Sequence, residues 1–509
     1  MKNLFLTTLT VVLFFINGFS QTISDNSSVK NTETLKGTLL DLDKKTPLPY
    51  ANILVLHKNV GTITNEKGQF SLNIAKLNEN DTLRFTYIGF KAKDLTIKAL
   101  DSTQTIYLKE DAYNLNEIFV FGGDHDPKEI IKKVLENKSA NYNTTLSKKQ
   151  VFIRNRSISD INKMDFKFKK SSFSELSEDM VASIKEKVPK HSISYTDFLG
   201  NLYFSRQKED SVHLKVDAIK VVSLKDKDLA DLNQIEDIFN NLFKNTKEKE
   251  YWKLKSGLIG GKIDFDDDDF DEKKIDSIDA LNKHRETTSN RQNYINYQLK
   301  YSSLNDKKEW EFLHNPSKYE FTLVGGTTVN EEDVYIIDFV PKKSGKFEGR
   351  VYISTKTYAL LRADYAYAAG KVGTDFHLLG VGYTVNKFNG SIYFEKVNDT
   401  YQLKYCSKKI GVRTSINRNL SLIKKKKQFL FDKKLNEIKI KFNLSVTAED
   451  SFEVLVLKQE KITNSQFLNF QQKEFSKKLY VNQFNDAMWK GYSIIEPTQQ
   501  MREYKKQDE

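Results

Sequence analysis

Short runs of alternating apolar and polar residues recur along most of this chain, a pattern that predicts β-strands. The clearest example spans residues 61–74, where Ile63 closes one strand. The next strand points inward at Phe70, Leu72 and Ile74. Asn65 and Gly68 lie between the two strands, and both residue types tolerate a positive φ. The pattern therefore predicts two strands joined by a tight turn.

Further short strands surround this turn, so residues 35–110 read as one small all-β unit. The strand patterns are KGTLLDL, YANILVL, DTLRFTYIGF and QTIYLKE, in addition to the two strands beside the turn. About seven short strands in roughly 75 residues predict a β-sandwich. Residues 111–145 then predict a connecting strand and a helix. Asp126 is the expected N-cap of that helix, Pro127 is its first residue, and Ile130, Ile131, Val134 and Leu135 share one face.

The remaining chain predicts a second, larger β-rich domain over residues 146–500, with a helical and charged insert at about 225–300 and a charged tail at 501–509. From Lys318 onward, strands of six to ten residues follow one another with short turns between them, which favours an antiparallel meander. The predicted fold class is mainly β: an N-terminal sandwich followed by a large antiparallel meander with a helical insert.

The first twenty residues have the pattern of a secretory signal peptide, with a lysine, an apolar run and small residues before a cut after Ser20. Residues 21–34 read as a polar linker. Cys406 is the only cysteine, so neither lipid attachment at an N-terminal cysteine nor an intramolecular disulfide is expected. We expect an exported protein of a bacterial envelope, in the periplasm or associated with the outer membrane, that is not a lipoprotein.

The charge is too dispersed to indicate a nucleic-acid partner. The 509 residues contain 80 Lys and Arg against 68 Asp and Glu, a formal net charge of +12. No basic helix or arm concentrates that charge. The expected partner is an envelope component, whether protein, lipid or glycan, with peripheral outer-membrane association as a further expectation.

Motifs for known chemistry are missing from the sequence. The seven histidines lack zinc-site spacing, and neither G-x-S-x-G nor a phosphate-binding glycine loop occurs. Cys406 lies in an alternating strand and reads as a buried thiol. The sequence therefore predicts no catalytic residue and no cofactor. A pair of catalytic carboxylates could still come from any two strands, so a glycan or peptide hydrolase stays an open alternative.

Two acidic features are candidate metal sites. Asp264, Asp266 and Asp268 lie in an acidic run that could gather around Ca²⁺. The run lacks the glycine and distal glutamate of an EF-hand loop, and a solvated loop is the competing interpretation. His125 lies between two aspartates, one of which the helix cap already explains. No metal site is predicted from either feature.

The order GTLLDLDKKTPLPYANILVLHKNVGTITNEKGQFSLNI, LRFTYIGFK and TIYLKE resembles the carboxypeptidase regulatory-like domain, a prealbumin-type sandwich. That resemblance implies the fold of the N-terminal module and an accessory role in the envelope, and it does not imply a particular activity. With the helix that follows, the order is also similar to uncharacterised outer-membrane-associated proteins of Gram-negative bacteria.

Residues 318–368 weakly resemble the half-barrel of lipoprotein carriers. This resemblance implies an apolar groove lined by Tyr335, Phe339, Tyr352, Tyr358 and Tyr365, whereas the competing interpretation is an ordinary core.

The sequence as a whole favours a non-enzymatic envelope protein that acts in binding or assembly. The alternatives are an outer-membrane-inserted β protein related to accessories of TonB-dependent receptors, and the hydrolase named above.

Overall fold

The structure is a computed structural model, and it describes residues 34–58, 60–100, 103–111, 126–142, 146–172, 178–208, 211–225, 250–256, 259–263, 285–329, 332–397, 399–428 and 431–504. The sequence predictions for the signal peptide, for residues 21–33, for the strand at 118–120, for His125 and for Asp264, Asp266 and Asp268 lie outside these residues.

The N-terminal module is a sandwich of two small sheets. Its strands are β1 (Thr34–Asp41), β2 (Asn52–Val55), β3 (Gly61–Ile63), β4 (Gln69–Asn73), β5 (Thr82–Thr86), β6 (Lys93–Thr96) and β7 (Thr103–Leu108). One sheet has the order β4-β1-β7 and the other has the order β3-β2-β5-β6. Alternate residues of both sheets meet in a closed core that includes Leu39, Ile53, Leu72 and Phe85. This architecture confirms the predicted sandwich of seven strands.

The turn between β3 and β4 differs from the prediction in two ways. The two strands do not pair with each other, because β3 pairs with β2 and β4 pairs with β1. The connection therefore crosses from one sheet to the other. Gly68 has the expected positive φ of 73°, but Asn65 is not among the residues with positive φ. The Asn65 side-chain oxygen instead accepts hydrogen bonds from the backbone N–H groups of Lys67 and Gln69, at 2.9 and 3.0 Å.

The helix predicted after Asp126 is present as α1 (Pro127–Glu136). The Asp126 carboxylate accepts a hydrogen bond from the backbone N–H of Lys128, as an N-cap does. Ile130, Ile131 and Val134 are buried on one face of the helix. Among the described residues, the other helices are α2 (Lys138–Asn141), α3 (Glu178–Lys187), α4 (Thr288–Leu299), α5 (Glu311–His314), α6 (Asn464–Asn469) and α7 (Gln499–Arg502), with short 3₁₀ turns at Ile97–Ala99, Lys300–Ser303, Pro316–Lys318 and Asp486–Trp489.

Fifteen strands of the described residues form one large sheet. They are β8 (Ser147–Ser171), β9 (His191–Lys208), β10 (Ser211–Lys225), β11 (Glu250–Ser256), β12 (Ile259–Ile263), β13 (Arg285–Thr287), β14 (Tyr319–Val329), β15 (Glu332–Pro341), β16 (Phe347–Ser354), β17 (Leu360–Tyr367), β18 (Asp375–Leu378), β19 (Val381–Val397), β20 (Thr400–Lys426), β21 (Lys433–Lys461) and β22 (Phe475–Val481). Their main order is β13-β22-β10-β9-β8-β21-β20-β19-β17-β16-β15-β14. Neighbours are antiparallel except β10 and β22, so the predicted meander is confirmed.

One face of this sheet is covered by α1, α5 and an aromatic cluster. Trp310 stacks on Tyr301 with ring centroids 5.1 Å apart, and Phe312 stacks on Phe339 at 4.2 Å. Tyr365 meets Trp310 and Phe312 in the same cluster. This face is a filled core.

The opposite face of the sheet carries the N-terminal sandwich and the C-terminal segment, residues 484–504. Arg362 of β17 donates to the Tyr87 hydroxyl of the sandwich at 3.0 Å, and its guanidinium lies 4.4 Å from the centre of that ring. The Thr62 hydroxyl of the sandwich donates to the backbone oxygen of Ile494 at 3.2 Å. Three parts of the chain that are distant in sequence therefore meet over this face.

Candidate functional site

A polar cleft of about 570 Å³ lies where these three parts meet. The sandwich contributes Tyr50, Asn65 and Glu66 to its wall, and the C-terminal segment contributes Glu496 and Thr498. The large sheet forms the floor. The volume falls in the usual range of small-molecule sites, so this cleft is the candidate functional site.

The floor of the cleft is built from polar residues that lie side by side on neighbouring strands. Direct partners in adjacent strands point to the same side of a sheet. The strand register therefore places one polar row across β19, β20, β21, β8 and β9. That row is Ser391, Ser407, Glu453, Arg154 and Asp197.

A second polar row runs beside the first. On each of the same strands, its residue lies two positions away from the residue of the first row. It consists of Asn389, Lys409, Ser451, Arg156 and Tyr195. All five of its residues line the cleft, and so do four of the first row, the exception being Asp197. The alternation of each strand thus presents a continuous hydrogen-bonding surface to the cleft.

Arg154 ties the floor to the C-terminal wall. Its Nε and Nη2 donate to the two carboxylate oxygens of Asp197 at 2.8 and 2.7 Å, and its Nη1 donates to the backbone oxygen of Ile495 at 2.9 Å. Arg154 and Asp197 are buried, and a buried charge is tolerated when it is paired and hydrogen-bonded in this way. This pair fixes the position of the wall over the floor.

Glu453 lies at the centre of the first row. Burial raises the pKa of Glu453, and the positive charge of Arg154 opposes that rise. The Tyr405 hydroxyl donates to Glu453 Oε1 at 3.1 Å. A carboxyl group in this position can accept a hydrogen bond when ionised and donate one when protonated.

Charges of both signs line the cleft in equal number. The cationic side chains are Arg154, Arg156, Lys387, Lys408 and Lys409, and the anionic ones are Glu66, Glu348, Asp364, Glu453 and Glu496. Many of them are paired, as in Lys409 with Glu66 at 3.3 Å. Arg156 and Lys387 both contact Glu449, at 2.6 and 2.5 Å. The cleft therefore offers many hydrogen-bonding groups without a strong net charge.

The Tyr195 hydroxyl is the feature of the cleft that most directly indicates a ligand. Tyr195 is 1% exposed and lines the cleft, yet its hydroxyl has no hydrogen-bond partner among the described residues. Buried hydroxyls without a partner are uncommon in folded proteins, because the lost hydrogen bond to water is not replaced.

The five residues proposed for an apolar groove occupy different places in the structure. Phe339 and Tyr365 pack in the aromatic cluster, and Tyr335 is buried in the same core. Tyr352 pairs with Arg362 in the register and lies on the sandwich side, while Tyr358 contacts Lys133 of α1. Of the five, Tyr365 is also among the residues that line the polar cleft. The structure does not bring the five together.

No cluster of three or more metal-ligating side chains occurs among the residues that the structure describes. Within the same ranges, no helix is long and apolar enough to cross a membrane. Cys406 is completely buried, and burial raises the pKa of its thiol to about 12.

The sequence reasoning missed every residue of the two polar rows. A signal does exist in β8, where Arg154 and Arg156 share the alternation phase of the buried Phe152. Charged residues that point to the same side of a strand as a buried apolar residue indicate a polar site covered by another part of the protein. That signal becomes readable only when the neighbouring strands are known.

Comparison with known proteins identifies the N-terminal module. Residues 35–120 match the model of the CarboxypepD_reg-like domain family. The match covers the seven strands of the sandwich, in agreement with the sequence resemblance. No curated protein matches the chain significantly.

Two of the solved structures that match show distant likenesses. The complex of Pseudomonas aeruginosa MucA and MucB matches with 6% identity and a TM-score of 0.17, over 70% of this chain and 99% of the other. A putative outer membrane lipoprotein-sorting protein domain from Vibrio parahaemolyticus matches with 8% identity and a TM-score of 0.19, over 67% of this chain and 97% of the other. Scores of this size establish neither a shared fold nor a shared function.

Proposed function

We propose that this protein is an exported, non-enzymatic cell-envelope protein that binds an oligosaccharide in the polar cleft. The observation that carries the proposal is the pair of polar rows on the cleft floor, with the unpartnered Tyr195 hydroxyl at the end of the second row. The regulatory-like module acts as one wall of the site rather than as a separate appendage.

The composition of the cleft favours a sugar over a lipid. A lipid chain needs an apolar trough, whereas the floor here presents Ser391, Ser407, Ser451 and Asn389. Sugar hydroxyls donate and accept hydrogen bonds at the same atom, and serine and asparagine side chains can meet both needs.

Charge and shape support the same class of ligand. Because the five cationic and five anionic side chains balance, the cleft gives no strong preference to a highly charged ligand. Tyr50 supplies a half-buried amphipathic ring with a polar tip, which suits the alternating apolar and hydroxylated faces of a sugar ring.

The test is calorimetric titration of the full chain with a panel of defined oligosaccharides, including chitotetraose, maltotetraose and reduced disaccharide fragments of peptidoglycan. We expect at least one to bind, and we expect Tyr195→Phe to weaken that binding about tenfold, since one hydrogen bond within a desolvated site is lost. Tyr492→Phe is the matched control, because Tyr492 is 40% exposed and lies outside the cleft.

The same titrations decide against the proposal if no sugar of the panel binds, or if Tyr195→Phe and Tyr492→Phe behave alike. The products are also followed by mass spectrometry. Detection of shortened sugars would favour the hydrolase alternative over binding alone. Variants of Glu453 would then test whether the protein binds the sugar or cleaves it.

A further inference from the structure

One edge of the large sheet exposes an apolar hairpin that the cleft does not use. The hairpin consists of β18 and the start of β19, joined at Leu379 and Gly380. Four large apolar side chains on it are exposed: Phe376 at 47%, Leu378 at 55%, Leu379 at 59% and Tyr383 at 39%. Clusters of this kind on a protein surface mark interaction sites.

The register places most of these side chains on one side of the hairpin. Phe376 pairs directly with Tyr383, and Leu378 pairs with Val381, so these residues point the same way. Every residue from 374 to 380 is exposed. The apolar patch is therefore continuous and accessible.

The turn residue Leu379 adds a second observation. Its φ is +50°, and Gly380 beside it has a φ of +79°. Asparagine or glycine is the usual residue at such a position, because a bulky side chain is strained in the left-handed region. Leucine there combines backbone strain with 59% exposure, so its side chain contributes little to the packing of the fold.

A group of lysines lies at the base of the same hairpin. Lys371 Nζ donates to the backbone oxygen of Lys343 at 2.8 Å, and Lys346 Nζ donates to the backbone oxygen of Gly373 at 3.4 Å. Gly373 is in turn hydrogen-bonded to Val385 of β19. Lys342 belongs to the same turn as Lys343, and both are exposed. Within the described residues, none of these four lysines forms an ion pair with a carboxylate.

We infer that this hairpin and its lysines dock the protein on an anionic lipid bilayer. Apolar side chains enter the boundary between head groups and acyl chains, and the lysines contact the phosphates. A second copy of this chain is the less suitable occupant, since pairing two β18 edges would bring the two lysine groups together. Asp375, the acidic residue of the hairpin, already contacts His377 at 3.1 Å.

The docking surface is separate from the cleft, so its test is independent of sugar binding. The full chain is centrifuged with vesicles of phosphatidylethanolamine and phosphatidylglycerol at three to one, and with phosphatidylcholine vesicles. We expect stronger sedimentation with the anionic vesicles, and we expect added salt to weaken it because the lysine contacts are screened.

Two sets of variants separate the apolar and the charged contributions to vesicle binding. The double variant Leu378→Gln and Leu379→Asn should lower the partition coefficient about tenfold or more, because two exposed leucines no longer enter the bilayer. Lys342→Gln with Lys343→Gln should lower it about fivefold for each lysine on anionic vesicles only. Leu468→Gln is the matched control, since Leu468 is 57% exposed on α6.

Folding of each variant is checked by thermal unfolding, and asparagine at position 379 suits the left-handed turn. Equal sedimentation of the wild type and the leucine double variant would overturn the inference. Absence of binding to anionic vesicles would overturn it as well, and so would sedimentation without vesicles, which would assign the patch to self-association.

Discussion

Tyr50 of the N-terminal sandwich stacks on Tyr405 of the large sheet, with ring centroids 4.7 Å apart and ring planes 24° from parallel. Tyr405 in turn donates its hydroxyl hydrogen bond to Glu453 in the cleft floor. The contact that joins the two β units is therefore also part of the cleft. A change that weakens the contact between the sandwich and the large sheet should therefore also change the shape of the cleft.

Replacing Tyr50 with alanine should loosen the sandwich from the sheet. The change removes a half-buried stacked ring, and we expect the free energy of unfolding to fall by about 2 kcal/mol. Tyr50→Phe keeps the ring and should cost much less. Chemical denaturation followed by tryptophan fluorescence measures both. Tyr492→Ala, at a 40% exposed position, serves as the control. If Tyr50→Ala lowers the free energy of unfolding no more than Tyr492→Ala does, the stacked pair does not hold the sandwich to the sheet.

The contributions of Arg154 and Asp197 to the free energy of unfolding should be strongly coupled. Removing either partner leaves the other charge buried and unpaired, so Arg154→Met and Asp197→Leu should each destabilise the fold by about 3–5 kcal/mol. The double variant should be more stable than either single variant, since no uncompensated charge is left. A double-mutant cycle by denaturation gives the coupling energy. Additive losses would mean that the pair contributes little to holding the wall of the cleft.

Glu453 should make stability fall as the pH rises. Because burial raises its pKa in the folded state, the folded protein holds the proton more tightly than the unfolded chain. The stabilisation is complete below the unfolded pKa, about 4.5, and is lost as the pH rises through the folded pKa. Relative to Glu453→Gln, the wild type should lose stability as the pH rises above about 4.5.

Glu449 provides a control of opposite sign for that pH series. Burial opposes ionisation of Glu449, but the hydrogen bond from Lys387 and the nearby positive charges lower its pKa overall. Its contribution is therefore present above the unfolded pKa and is lost as the pH falls. Unfolding titrations of wild type, Glu453→Gln and Glu449→Gln at pH 4, 5, 6 and 7 should give slopes of opposite sign for the two differences; parallel differences would disprove the assignment.

Gly68 should tolerate no side chain at the crossing between the two sheets of the sandwich. Its φ is +73°, and an added Cβ would lie 2.5 Å from the backbone oxygen of Leu39. Gly68→Ala therefore combines strain with a backbone clash and should cost about 2 kcal/mol or more. Gly89→Ala isolates the strain, because Gly89 has a φ of +88° and open space around it, and about 1 kcal/mol is expected. Thermal unfolding compares the two variants, and equal losses would show that the clash is relieved.

The elements of this protein were predictable where the pattern is local. The strands of the sandwich, the capped helix at Asp126 and the meander after Lys318 all follow from alternation, turn residues and capping within a few positions. The turn at residues 61–74 was predicted only in part. Whether β3 and β4 pair with each other depends on which sheet each strand joins. Here β3 pairs with β2 and β4 pairs with β1, so the answer depends on strands that precede the turn in the chain.

The β character of the chain, the regulatory-like module at residues 35–120 and the position of its turns follow from the order of residues alone, because those properties depend on near neighbours in the chain. The position of the polar cleft depends on contacts between distant parts of the chain. Arg154 donates to Ile495, which is 341 residues away, and the rows on the floor exist only once five strands are in register. Alternation tells which residues share a face of a strand, but the strand order and the elements that cover that face decide whether it becomes a core or a binding site.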